Sequence, residues 1–238
     1  MNWLRLSTIK TSKVYYFLFN KHCYLCDALS TQYLCDYCHP YIALNHHSCR
    51  LCARPSGRSQ ILCGECQKTQ PQQHVCIAPM LYQTLTAHLI KAIKFQQQSY
   101  YGHILTDILS QSLKQHYQAD DWPDEIIPVP SHARRVRERG FCQTTLLAKM
   151  LAASLSPTIK VNSRSFIKHR YTAAQHQLNK HARHSAQKHA FKVIGPIARH
   201  VALFDDVITT GSTTQACINT LIKHGVERVD IWALARTP

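Results

Sequence analysis

The sequence predicts an α/β fold, a mainly parallel sheet flanked by helices, behind a small N-terminal cysteine-rich head built on bound metal. Three features of the 238 residues lead there. Val201 to Thr214 passes from an apolar run through a hydroxyl-rich turn into helical spacing, the order of a strand, a loop and a helix. A second apolar run, Ile126-Ile127-Pro128-Val129-Pro130, is followed by a basic turn and then by apolar residues at helical spacing. Eight of the 11 cysteines fall in C-x-x-C pairs between Cys23 and Cys66.

Composition bounds the partners. Lys and Arg outnumber Asp and Glu 28 to 13, a formal charge of +15, which favours polyanionic partners such as nucleic acid or phosphorylated ligands. A merely basic, solvated surface is the plain alternative. Residues 1–22 form an apolar lead-in whose densest run, Val14 to Phe19, is too short to span a bilayer. No apolar signal region with a small-residue cleavage site follows it, so the expectation is a cytoplasmic protein, not an integral membrane protein.

Residues 23–66 carry the pairs Cys23/Cys26, Cys35/Cys38, Cys49/Cys52 and Cys63/Cys66. Two thiolates at that spacing share one tight turn, and two such turns complete the four-sulfur tetrahedron that structural Zn2+ prefers. The simplest grouping is sequential, giving two zinc ions in a double zinc ribbon; spacing alone leaves interleaved pairing open. A disulfide framework is the competing reading, and in a reducing compartment metal is the better expectation. With ligand turns so closely spaced the head buries little apolar surface, so metal supplies most of its folding energy. Cys76, Cys142 and Cys217 stand apart and read as small buried hydrophobes.

Gln67 to His74 is polar, apolar-poor and Pro-bearing, which marks a linker at 67–74 and a body at 75–238. In the body, Val75 to Tyr82 reads as extended. Leu85, Leu89, Ile90 and Ile93 recur at helical spacing up to Lys94-Phe95, and Ile104, Leu105, Ile108, Leu109 and Leu113 repeat the pattern. Pro128 in the strand near 126–130 implies an edge position or an early end. Ser131 to Phe141 then brings Arg134, Arg135, Arg137, Arg139 and Gly140 to the carboxyl end of that strand, where open sheets place ligands. Guanidinium groups suit pyrophosphate or DNA phosphate oxygens through paired donors. Leu146, Leu147, Met150, Leu151 and Leu155 make a core-facing helix, and Ile159 to Ile167 short strands. Residues 168–192, with Arg183, form a basic, apolar-poor stretch suited to a phosphate backbone. Arg228 to Arg236 is the closing strand.

The chemistry concentrates at Phe204 to Thr213. Hydroxyls and free N–H groups at a helix start bind phosphate, and Gly211 lets the backbone approach it. Asp205 and Asp206, just ahead, would repel phosphate and suit a sugar diol, directly or through Mg2+. Phosphate plus diol describes a ribose 5-phosphate. A generic turn capped by Ser212 or Thr213 is the plain alternative, and it accounts neither for the paired Asp nor for the length of the hydroxyl run.

This run resembles the phosphoribosyl pyrophosphate (PRPP) motif of type I phosphoribosyltransferases, which implies that fold. It implies that Asp205 and Asp206 hold the ribose as the catalytic pair, and that Thr209, Thr210, Gly211, Ser212 and Thr213 hold the 5-phosphate. By position Arg139 and its neighbours correspond to the pyrophosphate loop, and 168–192 to a mobile loop closing over PRPP. Together with the four cysteine pairs, Pro128-Val129-Pro130, Arg139-Gly140-Phe141 with Gln143, Thr172-Ala173-Ala174-Gln175 with Leu178, and Ala235-Arg236, the chain closely resembles the ComF family, which includes GntX-like proteins. Cys142 and Ala186 stand where that family usually has Asn.

The resemblance implies a competence-associated protein that binds PRPP with Mg2+ and acts on incoming single-stranded DNA, with a competence helicase or uptake-channel proteins as partners. A nucleobase phosphoribosyltransferase of salvage or synthesis and a zinc-ribbon adaptor without catalysis are the alternatives. No acceptor substrate is identifiable; Thr209 stands where 6-oxopurine enzymes carry an Asp.

Overall fold

The computed structural model describes residues 21–57, 61–155, 159–170 and 190–238. Most of the apolar lead-in and most of the basic stretch, with Arg183 and the Thr172–Leu178 motif, lie outside the described residues.

The chain divides into two compact units, 1–42 and 43–238. The sequence reading places its boundary at 67–74; the contacts fall between the second and third cysteine pairs. Long-range hydrogen bonds give the reason. Cys76 N–H donates to the Arg50 carbonyl at 2.8 Å, Asn45 Nδ2 reaches the Ala53 and Ala78 carbonyls at 2.9 and 3.1 Å, and Gln73 Nε2 donates to Leu51 at 2.5 Å. These tie the second cysteine cluster to a sheet edge. In the smaller unit β1 (Lys21–His22) pairs antiparallel with β2 (Leu29–Ser30), and Cys23, Leu34, Cys38 and Ile42 are buried.

The larger unit is built on a six-stranded sheet of β3 (Val75–Ile77), β4 (Met80–Leu81), β5 (Glu125–Pro128), β6 (Lys160–Val161), β9 (His200–Ile208) and β10 (Arg228–Arg236). Its order is β3-β10-β9-β5-β6, with β4 also beside β10, and all pairings are parallel. A separate antiparallel ribbon joins β7 (Phe166–Lys168) to β8 (Phe191–Val193). The helices are α1 (Gly64–Thr69), α2 (Thr84–Phe95), α3 (Tyr101–His116), α4 (Ala133–Arg139), α5 (Gln143–Leu155) and α6 (Ser212–Lys223). The parallel sheet flanked by helices is the architecture the sequence predicts.

Side chains alternate across the sheet. Val201, Leu203, Ile231 and Ala233 join Ile218 and Leu221 of α6 in one apolar layer. Phe204 and Trp232 project to the opposite face and are fully buried, where Trp232 Nε1 donates to the Tyr117 hydroxyl at 3.0 Å.

β5 is interior, between β9 and β6, so of the two consequences expected from Pro128 it is the early end that occurs. The chain passes from β5 to β6 on one side and later fills β9 and β10 on the other. Ligands of open α/β sheets bind at the carboxyl ends of the strands beside such a reversal.

Candidate functional site

At this reversal β5 and β9 part company. β5 follows β9 as far as Pro128 opposite Phe204, with Val129 N–H still donating to the Phe204 carbonyl at 2.8 Å. Beyond that point β9 runs on to Ile208 alongside β10. Asp205 and Asp206 therefore lie within the strand, not after it, and consecutive strand positions send them to opposite faces. Each carboxylate folds onto the next amide, Asp206 N–H donating to Asp205 Oδ1 at 2.9 Å and Val207 N–H to Asp206 Oδ1 at 2.8 Å.

Asp206 is buried, and its Oδ2 lies 2.5 Å from Nζ of Lys94, on the last turn of α2. The sequence reading treats Lys94 only as the end of a helix. Its signal was positional: it follows Ile90 by four residues and so continues the buried stripe of α2, where an ammonium needs a partner. Asp205 meets a different environment. Burial, and then the neighbouring Asp206 charge, push its carboxyl up to about 8. On the same face burial lowers the Lys168 ammonium, with Arg135 adding to that effect and Cys217 and Asp205 opposing it.

The turn after β9 has the form expected. Gly211, at φ 77°, is the N-cap of α6 and contributes no side chain to the amides of its first turn. A Cβ there would meet nothing within 4 Å, so it is the left-handed conformation that calls for glycine. Thr209 and Thr210 are exposed, Ser212 and Thr213 half-buried, and the Thr210 hydroxyl donates to Ser212 Oγ at 3.0 Å. The result is hydroxyls and a helix start facing the carboxyl end of the sheet, the arrangement that binds anions.

The arginines expected in an open loop sit on the short helix α4. His132 caps it through Nδ1, which accepts the Arg134 N–H at 3.2 Å, and Gly140 ends it at φ 82°. Helical spacing sorts them. Arg134 and Arg137 are exposed, and Arg134 pairs with Glu138 at 3.0 Å. Arg135 and Arg139 are half-buried on one face, with the Arg139 guanidinium 5.4 Å from the centre of the Phe95 ring. Thr144 of α5 donates to the Val129 carbonyl at 2.7 Å, tying the start of α5 to the end of β5. Cys76 and Cys217 are buried as expected; Cys142 is half-buried, with its sulfur 3.3 Å from Thr144 Oγ1.

The cysteines group sequentially. Sulfurs of Cys23, Cys26, Cys35 and Cys38, and those of Cys49, Cys52, Cys63 and Cys66, lie within 4.8 Å of one another in each set. Separations of 3.6 Å for Cys26–Cys35 and 3.7 Å for Cys52–Cys63 match the edge of a tetrahedron with Zn–S bonds of about 2.3 Å. Burial opposes ionisation of Cys23 and Cys49, yet backbone N–H groups, first those of Cys35 and Cys63, pull them down to about 6 and about 7. Burial and the other sulfurs push Cys38 and Cys66 up. A divalent cation relieves that conflict, so both sets fit structural zinc.

No family model matches the chain. Among curated proteins it is 31% identical to DNA utilization protein YhgH of Salmonella typhi over 221 residues, covering 90% of this chain and 96% of that one. Competence protein F of Haemophilus influenzae is 34% identical over 180 residues, covering 73% and 78%. Among solved structures the chain aligns with the allosteric regulatory enzyme of purine biosynthesis at 18% identity and a TM-score of 0.37. That alignment covers 56% of this chain and 26% of the enzyme. With Leishmania donovani UMP synthase the identity is 12% and the TM-score 0.32, covering 60% and 22%. The chain thus spans about a quarter of either enzyme.

Proposed function

The chain belongs to the ComF family, and from that premise we propose that the place where β5 and β9 part binds PRPP with Mg2+, in a protein that takes part in the uptake or cytoplasmic handling of transforming single-stranded DNA. One observation carries the reading of the site: the hydroxyl turn and the α6 start open onto the reversal between β5 and β9. The names of the relatives, Competence protein F and DNA utilization protein, support the link to DNA, as does the charge of +15.

In this reading Thr209, Thr210, Gly211, Ser212 and Thr213 hold the 5-phosphate. Asp205 and Asp206, presented from the two faces of one strand, hold the ribose hydroxyls of a ligand lying across its carboxyl end. Arg135 and Arg139 stabilise the diphosphate, the two arginines of α4 turned inward. Lys94 fixes the rotamer of Asp206 and offsets its burial. The two carboxylates are the hard oxygen donors a Mg2+–diphosphate calls for, and the cation would supply charge neutralisation of that group.

The test is titration calorimetry of PRPP with Mg2+ into zinc-loaded protein, beside the Asp205→Asn, Asp206→Asn double variant. Binding to wild type that vanishes in the variant is the expected result; no binding to wild type overturns the site. For DNA, affinity for a single strand falls steeply as salt rises, because phosphate contacts release counterions. Affinity indifferent to salt would overturn that part.

A further inference from the structure

Arg236, the last residue of β10, is buried, and its guanidinium spans two parts of the larger unit. Nε donates to the Cys52 carbonyl at 3.0 Å. Nη1 donates to the Ile208 carbonyl at 3.0 Å, to the Thr209 carbonyl and to the Thr237 hydroxyl at 2.8 Å. Cys52 belongs to the second cysteine cluster; Ile208 and Thr209 are the end of β9 and the start of the hydroxyl turn. The backbone that carries the guanidinium is fixed as well, because Arg236 lies opposite Ile208 in the sheet and its carbonyl accepts the Tyr82 N–H at 2.8 Å.

Packing does not replace this link. A cavity of about 590 Å³ lies between the cluster and α6, lined by Cys52 and Cys66 on one side and by Thr210, Ser212 and Gln215 on the other. Across that space the guanidinium is a direct bridge from the sulfur cluster to the turn. Arg is suited to it, since its planar fork serves several carbonyls at once and Lys has one point of attachment.

We propose that Arg236 is a positioning residue that couples the second cysteine cluster to the 209–214 turn, so that metal held by Cys49, Cys52, Cys63 and Cys66 sets the order of that turn. With four thiolates closed on a metal ion, the Cys52 carbonyl is a fixed acceptor. Arg236, anchored on it, holds the Ile208 and Thr209 carbonyls and so the direction in which the turn leaves the strand. With the cluster open, the anchor moves and the turn loses its hold. The coupling does not depend on which anion the turn takes, so it stands or falls separately from PRPP binding.

Hydrogen exchange on the zinc-loaded full chain tests it, with Arg236→Lys, Cys63→Ser and the double variant. Arg236→Lys is expected to speed exchange of the two amides that bond the turn, Gln215 N–H on the Gly211 carbonyl and Thr237 N–H on the Ile208 carbonyl, about tenfold while the 125–128 amides keep their rate, since the loss is of local hydrogen bonds. Cys63→Ser is expected to give the same change at the turn, and the double variant no more than either alone, as for two parts of one linkage. Uniform acceleration in Arg236→Lys overturns the proposal, because the residue would then only stabilise the fold. An unmoved turn in Cys63→Ser, or additive effects in the double variant, overturns it too. Should Cys63→Ser fail to fold, removal of Zn2+ from the wild-type chain with a chelator takes its place, with the same two outcomes at the turn.

Discussion

Asp205 and Asp206 are neighbours in sequence and face opposite sides of the sheet, and the two carboxyls are stabilised unequally. Asp206 has Lys94 at 2.5 Å. Asp205 is half-buried beside a second negative charge, and its carboxyl is pushed up to about 8. The folded pKa then exceeds the unfolded one of about 4, so the folded state binds the proton more tightly. Below about pH 4 both states are protonated and burial costs nothing. As pH rises toward 8 the fold loses stability progressively, and above that the loss is constant. Asp205→Asn keeps the shape and removes the charge. It is expected to stabilise the free protein by about 2 kcal/mol at pH 8, with the burial cost discounted for partial solvent access, and by much less at pH 5. Denaturant unfolding at the two pH values measures this; an equal effect at both would mean that Asp205 carries no such strain. The same substitution is expected to weaken ligand binding, a trade of stability for function at one residue.

At the scale of elements, α4 divides its arginines by face. Arg139 lies over Phe95, the residue after Lys94, and Arg135 is within electrostatic reach of Lys168. Arg134 is committed to Glu138, and both are well exposed. Arg135→Ala and Arg139→Ala are expected to weaken binding of a diphosphate ligand about tenfold or more each, the worth of a charge-assisted hydrogen bond. Arg134→Ala is expected to change it less than twofold, since an exposed pair of this kind contributes little. Calorimetry on the three variants checks the order, and equal losses would return all the arginines to one undivided basic surface. Local pattern made the strand, turn and helix of 200–223 legible from sequence, because apolar spacing and a positive-φ glycine are properties of the segment itself. Lys94 was not legible as a site residue, since its partner is more than a hundred positions away. Neither was the set around buried Asp230, which accepts from the Tyr117 hydroxyl at 2.7 Å and pairs with His200 at 2.9 Å and Arg228 at 3.2 Å. These convergences exist only once the sheet order is known. The arginine segment lies at the end of β5, as its place after the Ile126–Pro130 run implies, but its helix carries no sequence signal: the seven residues of α4 bury no residue fully, so no apolar period marks them.

For the whole molecule, the four cysteine pairs look like one repeated module in sequence and are divided between two compact units in space. The first cluster belongs to the smaller unit, whose described part has two-residue strands and few buried side chains. That described part is expected to owe its fold to metal, as zinc-finger peptides do, for which binding contributes roughly 10–16 kcal/mol. The second cluster belongs to a unit with its own extensive apolar core and is joined to it through Asn45, Gln73, Cys76 and Arg236. The two clusters therefore differ in what their loss does. Cys35→Ser is expected to melt the 21–42 segment, read as complete exchange of its amides, while the larger unit keeps its unfolding midpoint and its affinity for ligand. Cys66→Ser, with a buried ligand lost beside β3, is expected to lower the midpoint of the larger unit by several degrees, a loss of about 1–3 kcal/mol spread over a large domain. It should also weaken binding at the 209–214 turn. Were the two substitutions to give the same loss in both units, the clusters would act as a single head and the division at 42/43 would have no thermodynamic meaning. If they differ as expected, one cluster folds a small unit and the other is part of the body that holds the candidate site.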